Sequence, residues 1–250
     1  MRIAGLAALA LGLTLTASAP ALAEPVAVKY SEGVGRGFPV LRNVKGETIA
    51  LGDLAQVARG DRVENRLTFR FRDGSLYDET VVFSQRKFFR LESYRVVQRG
   101  PSFPESLDAS VDRETGRYVV RYRADQDSAE EVLKGKFEMP EDAYNGLLCT
   151  LMKNVPAGAS AMVEIVAFTP KPRSIKMLLM PTNEETVMMG EAAVASTRFH
   201  VKPQLGLFAS LLVTDIPDIK IWIAGGTAPA FLRFEGPLYF MGPIWRIDWN

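Results

Sequence analysis

The stretch from Val63 to Gly74 constrains the fold more than any other part of the chain. Leu67, Phe69 and Phe71 alternate with Arg66, Thr68, Arg70 and Arg72. Successive side chains of a strand point to opposite faces, so this pattern fits a strand with one buried face and one wet face. Asp73-Gly74 then marks a hairpin, because a tight turn that matches strand twist needs residues tolerant of positive φ. Leu76–Ser84 and Phe88–Val97 read as the next two strands, and Gly100-Pro101 ends that run. Asp112–Gly116 turns the chain again, between a strand near Asp108 and one over Arg117–Arg123. Connections this short cannot hold helical crossovers, so neighbouring strands run antiparallel.

The segments on either side are less regular. Glu24–Arg59 predicts a short strand near Val26–Tyr30 and then loop. Its Gly33-x-Gly35-x-Gly37 spacing lacks the strand, the helix and the wider final gap of a dinucleotide loop. Pro140–Asn154 predicts a helix. Pro140, Glu141 and Asp142 suit a first turn, and Tyr144, Leu147, Leu148, Leu151 and Met152 recur at helical spacing. Ala161–Phe168, Ser174–Met180, Glu185–Met189 and Ala192–Val201 predict strands. Gln204–Val213 is apolar on nearly every side, which suggests a second, buried helix, with a strand as the alternative. Ile219–Ile223, Ala230–Glu235 and Ile244–Trp249 close the chain as strands.

The expected fold is mainly β, with about ten strands and two helices. Sequential antiparallel strands avoid a long open edge by curling or closing. The expectation is therefore a curled antiparallel sheet or partly open β-barrel, with the helices packed on its concave side. Residues 24–250 are read as a single β-rich domain.

Residues 1–23 read as a secretory signal peptide. Arg2 is followed by an apolar run from Ile3 to Leu15, a small polar stretch and the small-x-small site Ala21-Leu22-Ala23. The run is short of the ~20 residues needed to span a bilayer. Cleavage after Ala23 leaves no cysteine to carry a lipid, so the expectation is a periplasmic protein that is neither a lipoprotein nor membrane-spanning. Without Arg2 the chain carries 29 basic and 29 acidic residues. That balance argues against nucleic acid as a partner. An outer-membrane barrel is permitted by the strand lengths, but charged strand faces and plug helices fit a soluble core better.

Chemistry is sparse. Cys149 is the only cysteine and His200 the only histidine, so no zinc cluster of nitrogen and sulfur ligands can assemble. No metal and no cofactor is expected. Cys149 lies in an apolar helical pattern and reads as a buried, inert thiol. A serine hydrolase would need His200 as its base, yet that residue is in phase with Arg198 and Lys202 on an exposed strand face. No serine sits in a Gly-x-Ser-x-Gly elbow. No catalytic residue is assigned. The arginines Arg66, Arg70 and Arg72, and later Arg117, Arg121 and Arg123, recur on strand faces. They form either a solvated sheet face or a surface for anionic headgroups.

Trp222-Ile223-Ala224-Gly225-Gly226, Ala228-Pro229-Ala230-Phe231, Glu235-Gly236-Pro237-Leu238-Tyr239 and Gly242-Pro243-Ile244-Trp245-Arg246-Ile247 form a distinctive C-terminal segment. It resembles the end of an uncharacterised family of secreted bacterial proteins. That family implies no activity and no site residues. In physical terms the two Gly-Pro pairs are turn punctuation, and the tryptophans between them read as core.

The functional expectation is an exported, non-enzymatic protein that binds an apolar or lipid-like ligand in a curved sheet. Phe208, Leu211, Leu212 and Trp222 are the expected apolar contacts, with Arg70 and Arg121 for an anionic headgroup. The alternative is an envelope hydrolase acting on a glycan or ester.

Overall fold

The computed structural model describes residues 25–125, 127–146, 148–156, 158–204 and 218–249. The expected signal peptide, and most of the expected helix over Gln204–Val213, lie outside these residues. The described chain begins with an arm, and Ala27 in it bridges Phe88. The strands that follow are β1 (Gly35–Gly37), β2 (Pro39–Arg42), β3 (Thr48–Arg59), β4 (Arg62–Phe71), β5 (Leu76–Gln85), β6 (Phe89–Arg99), β7 (Ser106–Asp112), β8 (Arg117–Arg123), β9 (Glu131–Lys136) and β10 (Ala143–Tyr144). After the helix α1 (Leu148–Asn154) come β11 (Ala161–Phe168), β12 (Pro172–Met189), β13 (Ala192–Pro203), β14 (Ile219–Ala224), β15 (Ala230–Gly236) and β16 (Trp245–Trp249).

All sixteen strands join one sheet. Its order is β10-β11-β12-β13-β14-β15-β16-β2-β3-β4-β5-β6-β7-β8-β9, with β1 also pairing β3. Every pairing is antiparallel except that of β10 with β11. The C-terminal β16 lies beside β2, so the two sequence halves are joined within one continuous sheet. The sheet is curled and open, and inward side chains from both halves meet in one core. Phe69, Phe83, Leu91, Leu179 and Ile221 are all fully buried there.

The curl brings β10 against the start of β6. Strand β7 pairs with β6 only over Ser93–Gln98, which leaves the carbonyls of Phe89 and Leu91 without that neighbour. Buried backbone acceptors need partners. The Tyr144 hydroxyl donates to the Phe89 carbonyl (3.0 Å), and the Arg113 guanidinium donates to Leu91. Arg113 also donates to the carbonyls of Met139 (2.9 Å) and Pro140 (2.8 Å), tying the segment before β10 to β6. An aromatic group fills another part of the core. Phe103 meets Phe71 at 5.4 Å, Tyr239 at 5.5 Å and Trp245 at 6.1 Å between ring centroids.

The strand expectations from Val63 to Arg123 and from Ala161 onward hold, with two strands fusing. Ser174–Met180 and Glu185–Met189 belong to the single strand β12, which passes Pro181 at a register shift. A bulge tolerates a proline because no ladder donor is needed there. Residues 31–59 carry three strands where loop was expected. Strand β3 has small or polar residues at Ala50, Gly52, Asp53, Ala55 and Ala58, which blur its alternation. Gly52 is small for a packing reason: a Cβ there would sit 2.7 Å from the Phe69 ring and from Pro39.

The expected helix over Pro140–Asn154 is corrected. Only Leu148–Asn154 is helical. Ala143 and Tyr144 instead pair with Glu164 and Ile165, and the Asn145 side chain donates to the Val166 carbonyl. Gly146 takes φ +60°, which breaks a right-handed helix. Tertiary pairing thus overrides the helical spacing of Tyr144 and Leu148. Among the described residues no helix is long and apolar enough to cross a membrane.

Candidate functional site

The curled sheet forms a partly open cavity of about 640 Å³, within the usual range for small-molecule sites. One wall comes from β4, β5 and β6 through Leu67, Val81 and Val96, and the facing wall from β11, β12 and β14 through Ile165, Met177 and Ile221. The two walls touch where Tyr94 of β6 stacks on Phe168 of β11 at 5.7 Å. Helix α1 borders the space with Leu148, Cys149, Thr150 and Lys153, while Leu151 and Met152 join the core.

A carboxyl group stands inside this mostly apolar space. Residues Tyr77, Glu79, Val81 and Phe83 alternate toward the interior of β5. Across the ladder, Glu79 lies opposite Leu67 on β4 and Val96 on β6. Tyr77 is two residues away on the same face, and Tyr94 is its diagonal neighbour on β6. What surface Glu79 retains faces the cavity, and no ion pair reaches it among the described residues. Burial therefore pushes its carboxyl up to about 7, with the nearby Tyr94 and Tyr77 hydroxyls acting the other way. Burial raises both tyrosine hydroxyls well above their usual range, so they stay neutral donors.

The loop before α1 closes over this group. A Cβ built on Gly146 would lie 3.1 Å from the Glu79 carboxyl carbon and 2.4 Å from a Val81 methyl. Only glycine fits that approach, and only glycine adopts its φ without strain. Cys149 follows on α1, and burial pushes its thiol up to about 12. It is thus a protonated wall residue rather than a nucleophile. Lys153, also on α1, forms an ion pair with Glu32 of the N-terminal arm. That arm is fastened further by Asn154, whose side-chain oxygen accepts from the amides of Lys29 (2.8 Å) and Tyr30 (2.6 Å). Gln85 adds a pair of bonds to the backbone of Glu32.

The expected contacts are placed differently from one another. Phe208, Leu211 and Leu212 lie outside the described residues. Trp222 is buried, but in a small separate cluster with Val187 and Leu232, and it does not line the cavity. Its indole N–H donates to Glu185 at 2.8 Å, and Arg233 lies over its ring. Arg70 and Arg121 are exposed and do not line the cavity either. Arg121 pairs with Glu130 at 3.4 Å, as Arg66 pairs with Asp78 at 2.7 Å and Arg95 with Asp108 at 2.9 Å. Arg66, Arg95 and Arg121 thus face acids on neighbouring strands or turns and form an ion-paired outer face. His200 alternates with the inward Phe199 and Val201, is half-buried, and has its pKa lowered by desolvation.

Sequence reasoning missed the Glu79, Tyr77 and Tyr94 group. A signal for it existed: in β5 the acid occupies the same alternating phase as Tyr77, Val81 and Phe83, the face that must be buried.

No family model matches the chain, and no curated protein matches it. Among solved structures, its fold is similar to the crystal structure of a β-barrel-like protein of domain of unknown function DUF1849 from Brucella abortus. The TM-score is 0.50 at 10% sequence identity, over 92% of this chain and 98% of that one. At that identity the two share a fold.

Proposed function

We propose that this is an exported, non-enzymatic periplasmic protein that holds an apolar or lipid-like ligand inside its curled sheet. The observation that carries this reading is the cavity of about 640 Å³ between the two strand walls, lined largely by apolar side chains. A chain that needed only stability would fill such a space, since interiors pack at crystal-like density and an empty cavity forfeits dispersion contacts. In this reading α1 sits on the concave side as a plug, and the signal peptide delivers the domain to the envelope, where lipids are at hand.

The hydrolase alternative draws less support. His200 does not line the cavity, and the one thiol that does is held protonated by burial. Native mass spectrometry of protein purified from its own host tests the proposal. The expected result is a mass above that of the processed chain, with the excess released by organic solvent. A clean apo mass with nothing extracted contradicts it.

A further inference from the structure

Resting on the carrier reading, we infer that Glu79, flanked by Tyr77 and Tyr94, anchors the polar end of the ligand and selects an amphiphile with a protonated amine over one with an anionic head. The inference comes from what the cavity offers a polar group. Lys153 borders the cavity but is taken up by Glu32, and Arg36 by Asp53 at 2.9 Å on the outer side. Glu105 borders the cavity as a second acid. Neither acid has an ion pair among the described residues, but Glu79 is the one set among the apolar side chains of Leu67, Val81 and Val96. An anionic head placed there would meet a like charge in a poorly solvated site. An ammonium would supply the missing counter-ion, and opposite charges gain most where water is excluded.

The groups that face Glu79 all fit this role. Tyr77 on β5 and Tyr94 on β6 carry neutral hydroxyls on the same inward face, and Cys149 on α1 is a neutral thiol. Gly146 closes one side, with a Cβ built on it coming within 3.1 Å of the Glu79 carboxyl carbon. The rest of the cavity, through Ile165, Ile175, Met177 and Phe234, would take the ligand's hydrocarbon. A buried acid at the polar end of an apolar cavity costs stability, and a binding role explains why the fold carries it.

Calorimetric titration of the delipidated chain with dodecylamine, 1-dodecanol and dodecanoate tests the inference. At neutral pH the amine is expected to bind about tenfold or more tighter than the carboxylate, with the alcohol between them. In Glu79→Gln the amine's advantage over the alcohol should disappear. Should that variant fail to fold, the wild-type pH profile decides. Amine affinity should rise by about tenfold between about pH 5.5 and pH 8, with a proton released on binding at the lower pH. Alcohol binding with no preference for the amine, or a flat pH profile, overturns the anchor and leaves the carrier reading standing. Failure of all three probes to bind overturns both.

Discussion

The Tyr144 hydroxyl donates to the Phe89 carbonyl at 3.0 Å and accepts from the Val26 amide at 3.3 Å. One side chain thereby joins the edge strand β10, the start of β6 and the N-terminal arm. It does so where the sheet has curled far enough to meet itself without closing a ladder. Burial raises the Tyr144 hydroxyl to about 12, so it remains a neutral donor across the physiological range.

Removing that hydroxyl leaves two buried backbone groups short of a partner. Tyr144→Phe should therefore lower stability by about 1–3 kcal/mol, with the strand content unchanged. Urea titration followed by circular dichroism measures it. A variant as stable as the wild type would mean that β10 is not held at β6 by this contact.

Arg113 has a larger role at the same junction. Its guanidinium is nearly buried, at 8% side-chain exposure, and donates to the carbonyls of Leu91, Met139 and Pro140. Lysine offers a single ammonium rather than a planar fork, so it cannot reproduce that geometry. Arg113→Lys should cost about 2–4 kcal/mol. Arg121→Lys on the exposed outer face should change the unfolding midpoint hardly at all. Equal effects from the two would contradict the assignment.

Gly146 should tolerate no side chain. Its positive φ and its approach to Val81 and Glu79 combine, so Gly146→Ala should destabilise by about 2 kcal/mol or more. Part of that loss comes from the Val81 contact. Gly146→Ala combined with Val81→Ala should therefore cost less than the sum of the two single changes, as thermal unfolding of all four proteins would show.

The Glu79 carboxyl has a folded pKa of about 7, above the 4.5 of a free glutamate. The folded state therefore binds more protons than the unfolded state between those values. The contribution of Glu79 to stability is full below about pH 4.5 and is lost as pH rises through 7. Glu79→Gln removes the titration. It should match the wild type at acid pH and exceed it above pH 7 by up to about 3 kcal/mol. A constant difference across the pH range would contradict burial of an ionisable Glu79.

Much of the sheet was legible because a half-buried strand must alternate, and β4 and β6 largely do so. What escaped was set by distant partners. Strand β3 hides its phase behind Gly52, whose smallness is explained only by the Phe69 ring across the ladder. Tyr144 and Leu148 share a helical spacing, yet Tyr144 is drawn into a strand by Ile165 and Phe89. The outward face of Arg66 and Arg121 was readable from alternation, while the acids that pair with them come from other strands and turns. The interior position of Glu79 was readable by the same rule. Its importance was not, because sequence phase shows that a residue points inward but not that the facing wall stands far enough away to leave a cavity.

The most direct test of the central claim is equilibrium titration of the delipidated chain with a neutral, environment-sensitive apolar fluorophore, alongside a variant in which Ile165→Trp fills the space between the walls. The account predicts saturable binding of one fluorophore per chain to the wild type. It also predicts loss of that binding in a variant that still unfolds cooperatively. Absence of saturable binding, or binding unchanged by Ile165→Trp, would contradict it.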